Sequence, residues 1–119
     1  LRERGEPYRL QHSGAPVAVL QDGETASAAE IVAAAFATRP QTRSFGSATR
    51  GATTATRTFP LMDGAALMLA VARTGDRTGR VLNGPIVPDE IVADAEREQD
   101  LRSQRVIEAA RQWLDGLAK

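Results

Sequence analysis

The hydrophobic pattern of the first half of the chain predicts a strand, a helix and a second strand. Residues 16–20, Pro-Val-Ala-Val-Leu, form a short apolar run with two β-branched side chains, which favours a strand buried on both faces. Residues 26–38 carry apolar side chains at helical spacing, and this helix is expected to end before Pro40. Residues 42–46 predict a strand close enough to the helix to complete a right-handed strand–helix–strand unit.

The second half of the chain predicts a hairpin, an extended segment and a long helix. Residues 55–61 and 65–72 are expected to be strands joined across residues 62–64, Met-Asp-Gly, because Asp-Gly is a strong hairpin signal. Two prolines and a glycine give residues 84–89 an extended path. From about residue 94 the pattern is helical, with one apolar stripe that should pack against the sheet. The stripe consists of Leu101, the stem of Arg105, Ile107, Ala110, Trp113, Leu114 and Leu117.

Composition narrows the class of protein. The 119 residues are 42% hydrophobic and 25% charged, which is typical of one soluble globular domain, here of the α/β class. Fifteen basic and fifteen acidic side chains cancel, so no nucleic-acid partner is expected. The absence of cysteine excludes disulfides, zinc knuckles and thiol nucleophiles. No apolar run reaches the roughly 18 residues of a membrane span.

The junction between the first strand and the first helix is the one place where the pattern suggests chemistry. A hydroxyl at Ser27 would lie beside the unsatisfied N–H groups of a helix N-terminus, and the N–H of Ala28 could hold an oxyanion formed there. Ser27 and Glu30 also have the spacing of a capping box, in which the two side chains only satisfy the first turn of the helix. The residues alone leave both hypotheses open.

The same segment resembles a known family. Residues 17–35, VAVLQDGETASAAEIVAAA, are similar to the strand–turn–helix of the carboxy-terminal processing (tail-specific) serine peptidases, where a stretch of the form VLVDGGTASASEI carries the nucleophile. Further matches follow in order. Residues 42–46 resemble the strand that enters the family's glycine-rich segment, residues 59–67, FPLMDGAAL, resemble its FPLPDGAAL hairpin, and residues 84–89, GPIVPD, resemble its GV.PD-like segment. The resemblance covers about residues 15–92, and the terminal helix also fits.

The resemblance implies a fold, a mechanism and partners. It implies the crotonase-like α/β fold, with residues 1–14 as a leader or linker and residues 15–119 as the C-terminal half of a catalytic domain. Ser27 stands at the nucleophile and Ala28 at the main-chain oxyanion donor. The implied partners are a polypeptide substrate and the N-terminal half of the same domain, with no cofactor or metal. The family suggests a periplasmic, cell-envelope or secreted protein.

The sequence departs from the family at the general base. Ala52 occupies the position of the family's lysine, and Thr56 that of the glutamine that orients it. Neither side chain accepts a proton from serine at neutral pH. The chain has one histidine, His12, in the polar leader, and one lysine at the C-terminal residue; Arg50 stays protonated, although it could bind a peptide carboxylate.

A serine without a base is a poor nucleophile, so the base is expected from the N-terminal half, as in the tricorn relatives, and the segment alone is expected to be inactive. The alternative is a degenerate member that keeps the fold as a peptide-binding or structural module, with Ser27 serving as a helix cap. A third hypothesis, an acyl-CoA-handling crotonase relative, is disfavoured by the peptidase-like order of the motifs.

Overall fold

The computed structural model of the chain describes residues 11–76, 78–92 and 99–118, with the side chains of the last helix described from residue 104. Strands and helices alternate at first and are followed by a hairpin, a short strand and a long helix. The elements are β1 (Val17–Gln21), α1 (Ala28–Phe36), β2 (Thr42–Gly46), β3 (Thr54–Pro60), β4 (Ala66–Arg73), β5 (Glu90–Ile91) and α2 (Gln99–Leu117). The predicted mixed α/β class, with its strand–helix–strand unit, hairpin and C-terminal helix, is confirmed.

A parallel sheet of three strands, in the order β1–β2–β5, forms the centre of the structure. β1 and β2 pair from Val17 opposite Thr42 to Gln21 opposite Gly46, and β5 adds two residues beside the end of β2. Because the strands are parallel, their carboxyl ends meet at one edge of the sheet. The turn that leads into α1 starts at this edge.

The core lies between the sheet and α2. Phe45 of β2 is fully buried, and its ring lies 5.8 Å from that of Trp113, centroid to centroid. Ala110 of α2 is also buried. The apolar stripe predicted for α2 is confirmed for Ala110, Trp113 and Leu114. It is wrong for Ile107 and Leu117, which are exposed, because the buried face is rotated toward Val106. The side chain of Leu101 and residues 94–98 lie outside what the structure describes.

The burial of the first strand and helix differs from the prediction. β1 is half-buried rather than buried on both faces, and Leu20 is 46% exposed. In α1 the buried residues are Glu30, Ala33 and Ala34, while the apolar Ile31 and Val32 face outward. Spacings of three and four place the three buried residues on one side of the helix. That face is set by the hydrogen bonds of a buried carboxylate, which a hydrophobic pattern does not register.

The hairpin β3–β4 forms as predicted but does not pack on the sheet. Its strands run antiparallel, with an irregularity between Ala55 and Thr56, and the Asp63 carboxylate accepts the Ala65 N–H at 3.0 Å across the turn. Every residue of both strands is exposed. Alternation along the strands collects several large apolar side chains on one face. They are Phe59, Leu67, Leu69 and Val71.

No helix in the described part of the chain has the length and apolar character needed to cross a membrane.

The ends of β1 and β2 approach each other closely at Gly46. This glycine has a φ of 124°, and a Cβ placed on it would overlap the backbone carbonyl oxygen of Gln21. The same oxygen accepts the Ser47 N–H at 3.1 Å, and this bond joins the ends of the two strands. A side chain at position 46 would occupy the space of that oxygen. Only glycine fits both the dihedral angle and the space.

We predict that Gly46→Ala destabilises the full-length protein much more than Gly64→Ala. Gly64 also has a positive φ, 85°, but nothing lies within 4 Å of its virtual Cβ. Backbone strain alone costs about 1–3 kcal/mol, and the overlap at position 46 adds roughly another 1–3 kcal/mol. Urea unfolding of the two variants measures the difference. Equal losses of unfolding free energy would contradict the close approach.

Candidate active site

The turn between β1 and α1 is held by the side chain of Asp22. Its Oδ1 accepts the N–H of Glu24 at 2.9 Å and that of Thr25 at 3.0 Å, while the Asp22 N–H donates to the Thr25 hydroxyl at 3.0 Å. Such reciprocal bonds are typical of Asp and Thr in tight turns. They carry the chain from the carboxyl edge of the sheet directly to Ser27, the N-cap of α1, where the sequence predicted it.

Ser27 has a strained backbone. Its φ is 53° and its ψ is −116°, whereas an N-cap residue normally adopts β-region angles. A non-glycine residue at such angles costs on the order of 1–3 kcal/mol and persists only where its surroundings enforce it. A sharp, strained turn from strand to helix is also how the nucleophile of several serine hydrolases is exposed. The Ser27 residue is exposed here.

Ser27 and Glu30 adopt the predicted capping-box arrangement, but its two halves are unequal. The Ser27 N–H donates to Glu30 Oε2 at 2.9 Å. In the other half, the Glu30 N–H faces the Ser27 side chain as the box requires, but it donates to the Ser27 carbonyl oxygen at 3.0 Å and the hydroxyl does not reach hydrogen-bond geometry. Capping therefore accounts for the position of the glutamate, whereas the exposed hydroxyl of Ser27 is placed in the box without a full cap hydrogen bond.

The N–H of Ala28 is available beside that hydroxyl. It follows Ser27 at the first position of α1, and no acceptor for it occurs among the residues that the structure describes. The partial positive charge of a helix N-terminus adds to its attraction for an anion. The arrangement can therefore stabilise negative charge on an oxygen bound next to Ser27, as the sequence led us to expect for Ala28.

Glu30 is fully buried and is hydrogen-bonded through both carboxylate oxygens. Besides the Ser27 N–H on Oε2, the carboxylate accepts the Thr49 hydroxyl at 2.5 Å and the Gly51 N–H at 2.7 Å on Oε1. Burial raises the pKa of this carboxyl, but the hydrogen bonds, led by that of Thr49, outweigh burial and hold the pKa below its usual value. Glu30 is therefore a buried carboxylate in its ionised form.

Segment 49–52 lies against the turn that carries Ser27. Besides its bonds to Glu30, it is attached through the Arg50 N–H, which donates to the carbonyl oxygen of Thr25 at 2.9 Å. The Arg50 side chain pairs with Glu24 at 2.7 Å on the surface, so it is already occupied by a carboxylate of this chain. Ala52, which the sequence predicted to occupy the family's lysine position, directly follows Gly51 in this segment.

The other described residues that the sequence singled out make no hydrogen bond to Ser27. Thr56 is an exposed residue of the hairpin. His12 is exposed in a turn before β1, whereas Ser27 follows the opposite end of that strand. Within residues 11–76, 78–92 and 99–118, no hydrogen bond links the Ser27 hydroxyl to a lysine, a histidine or a carboxylate. Asp89 accepts the N–H and hydroxyl of Ser44, both at 2.8 Å, and so holds a loop to β2.

Sequence reasoning missed two buried polar residues next to this site. Thr49, already bonded to Glu30, accepts the Ile86 N–H at 2.8 Å through the same hydroxyl. Gln21, at the end of β1, donates its amide N–H groups to the carbonyl oxygens of Ser47 at 3.3 Å and Ile86 at 2.7 Å. Their burial depends on loops that are distant in the sequence, so no local pattern could have indicated it.

The chain is similar to a peptidase family and to several known proteins. The family model described as Peptidase family S41 matches residues 2–92. The Nisin-resistance protein of Lactococcus lactis subsp. lactis is 41% identical over 76 residues, which are 63% of this chain and 24% of that protein. The solved structure of a lipoprotein from Streptococcus agalactiae is similar with a TM-score of 0.66 and 34% identity, over 85% of this chain and 32% of its own.

A second solved structure supports the fold alone. It is that of a candidate peptidase from Parabacteroides merdae, similar with a TM-score of 0.67 over 83% of this chain and 31% of its own, at 24% identity. The chain therefore spans between 24% and 32% of the length of these three relatives. The resemblance inferred from the motifs is confirmed at the level of the family.

The pKa of Glu30 leads to a prediction about acid stability. Because this pKa is lower in the folded than in the unfolded protein, the ionised group stabilises the fold above its ordinary pKa of 4.5, and this stability is lost as the pH falls through the folded value. We expect the unfolding free energy of the wild-type full-length protein to fall below about pH 5 more steeply than that of Glu30→Gln. Urea titrations at a series of pH values measure this, and Glu24→Gln, which alters an exposed carboxylate, should follow the wild type. Parallel curves for wild type and Glu30→Gln would contradict it.

Proposed function

The chain belongs to peptidase family S41, and on that premise we propose that the full-length protein is a serine-type endopeptidase of the tail-specific processing type. The observation that carries the proposal is the geometry at Ser27: an exposed hydroxyl on a strained strand-to-helix turn, next to the unoccupied N–H of Ala28. A capping serine needs neither the positive φ nor the free donor. Acyl transfer makes use of both.

The chemistry follows from these two groups. The Ser27 hydroxyl attacks the carbonyl carbon of a peptide bond while a base takes its proton, and the N–H of Ala28 donates to the resulting oxyanion. Collapse of the tetrahedral intermediate releases the amine, which receives a proton, and leaves an acyl-serine. Water then attacks the acyl-serine and releases the carboxylate product, restoring the hydroxyl.

The base belongs, in this proposal, to a part of the protein outside this chain. Ala52 and Thr56 cannot accept a proton. We also propose that the chain is the C-terminal half of a catalytic domain of the crotonase-like fold, from residue 15 onward, and that the N-terminal half is its partner. One feature supports this partner: the exposed apolar face of the hairpin. A two-stranded hairpin is marginally stable until something covers it.

A second candidate is supported by one observation, the methyl group of Ala52 where the family places its lysine. A member that has lost its base would keep the fold as a peptide-binding or structural module. The two candidates differ in whether Ser27 reacts.

We predict that a serine-directed phosphonate labels the full-length protein at Ser27, and that Ser27→Ala abolishes both labelling and proteolysis. An unfolded protein is the general substrate to test, and nisin the specific one, because a relative is named for resistance to it. The thermal midpoint should change by only a few degrees, because an N-cap contributes about 1 kcal/mol. Labelling is located by mass spectrometry of the modified peptide.

The matched control for this experiment is Ser47→Ala, which removes the serine hydroxyl that follows Gly46 at the same edge of the sheet. It should leave labelling intact. A wild-type protein that resists the probe, cleaves neither substrate and is destabilised by Ser27→Ala would favour the non-catalytic module instead.

We further predict that His12→Gln leaves the labelling rate of the full-length protein within twofold of wild type. His12 and Ser27 lie beyond opposite ends of β1, and its five residues span roughly 16 Å. A proton-accepting group must come within about 3 Å of the hydroxyl. Labelling rates across pH 5–9 provide the measurement, and a loss of 100-fold in His12→Gln would show that the base lies in this chain after all.

A further inference from the structure

Glu30 connects three segments of the chain that meet beside Ser27. Its Oε2 holds the Ser27 N–H, and its Oε1 holds Thr49 and Gly51. Thr49 extends the connection, because its hydroxyl accepts the Ile86 N–H at 2.8 Å and its own N–H donates to the Ile86 carbonyl oxygen at 3.1 Å. The start of α1, segment 49–52 and segment 84–86 are therefore joined through one carboxylate.

These bonds reach the strained residue itself. The peptide group before Ser27 is oriented by its N–H bond to Glu30, and the peptide group after it carries the free N–H of Ala28. Strain of this kind persists only where neighbouring contacts fix the backbone on both sides. On the far side of the carboxylate, Gly51 is confined in turn, since a Cβ on it would lie 2.7 Å from the Pro85 nitrogen.

An ordinary capping glutamate explains only part of this arrangement. In a capping box the glutamate contributes one bond, in which one carboxylate oxygen accepts the N-cap N–H. Glu30 is instead fully buried, and its second oxygen is committed to a segment about twenty residues further along the chain. Burying a carboxylate is costly unless its hydrogen bonds are satisfied, so all of these donors have to be in place together.

We propose that Glu30 is a positioning residue for Ser27: it fixes the Ser27 backbone, and through Thr49 and Gly51 it fixes segment 49–52 beside the reacting hydroxyl. The inference rests on the proposed function in so far as Ser27 reacts. Glu30 takes no part in proton transfer or in binding the oxyanion. It determines where the hydroxyl and the Ala28 N–H stand relative to each other, and a misplacement of about 1 Å is enough to slow a reaction on the order of 100-fold.

Glu30→Gln tests this role at almost constant volume. A glutamine has one amide oxygen, so either the Ser27 N–H or the Gly51 N–H must face an NH₂ group instead of an acceptor. In the full-length protein we expect the maximal rate of phosphonate labelling to fall about 100-fold, while the probe concentration giving half that rate stays within twofold. Glu24→Gln, which breaks the exposed Arg50 pair between the same two segments, should label like wild type.

Two further measurements separate positioning from general stability. Amide hydrogen exchange at Ser27 and Gly51 should be slow in wild type and faster in Glu30→Gln, because one of the two N–H groups loses its acceptor. Thr49→Val, which keeps the shape but removes the hydroxyl, should slow labelling, and Thr49→Ser should restore most of the rate. All labelling is measured at least 15 °C below the thermal midpoint of each variant.

The labelling rates of the variants decide whether Glu30 positions Ser27. A folded Glu30→Gln protein that labels within twofold of wild type overturns the proposal. If this variant does not fold, the Thr49 pair decides, and equal rates for Thr49→Val and Thr49→Ser overturn it. If wild type itself is not labelled, the proposed function has failed. In that case the exchange data alone test the positioning of Ser27, and unchanged exchange in Glu30→Gln overturns it.

Discussion

The buried carboxylate of Glu30 is the interaction on which the rest of this structure depends. It receives backbone N–H groups from the start of α1 and from segment 49–52, and through Thr49 it also reaches segment 84–86. A buried ionised group is tolerated only when its lone pairs are satisfied, so removing one donor raises the cost for all the others. The carboxylate therefore sets which face of α1 is buried, and the small Ala33 and Ala34 allow that face to lie close to its neighbours.

The backbone strain at Ser27 and the hydrogen bonds to the Glu30 carboxylate depend on each other. Ser27 has a positive φ and is exposed, as is Ala28, while the N–H of Ser27 donates to the buried Glu30. A relaxed β-region conformation would suit an N-cap but would change the orientation of that N–H. The free energy stored in one residue is thus offset by hydrogen bonds formed in the interior, which is a common relation between active-site strain and its surroundings.

The position of segment 49–52 does not depend on the side chain of Ala52. Segment 49–52 is held through backbone N–H groups and the Thr49 hydroxyl, and none of these contacts uses the side chain of residue 52. Its geometry can therefore be kept whichever side chain stands at Ala52. This is consistent with both candidate functions, because a base supplied from another part of the protein and a module without a base need the same backbone.

The hairpin that follows has an apolar face that no described residue covers.

The sequence by itself determined the order of the elements, the hairpin turn at Asp63, the place of Ser27 at the start of α1 and, through its motifs, the family. These features depend on local signals: hydrophobic periodicity, turn residues and short ordered matches. Only the tertiary structure decided that α1 buries Glu30 rather than Ile31 and Val32, that Ser27 is strained, and that Thr49 and Gln21 are interior. The physical reason is that Glu30, Thr49 and Gln21 are buried by hydrogen bonds between residues about twenty to sixty-five positions apart, and Ser27 is held in turn by Glu30. A local pattern cannot indicate whether a distant donor will be present to satisfy a buried acceptor.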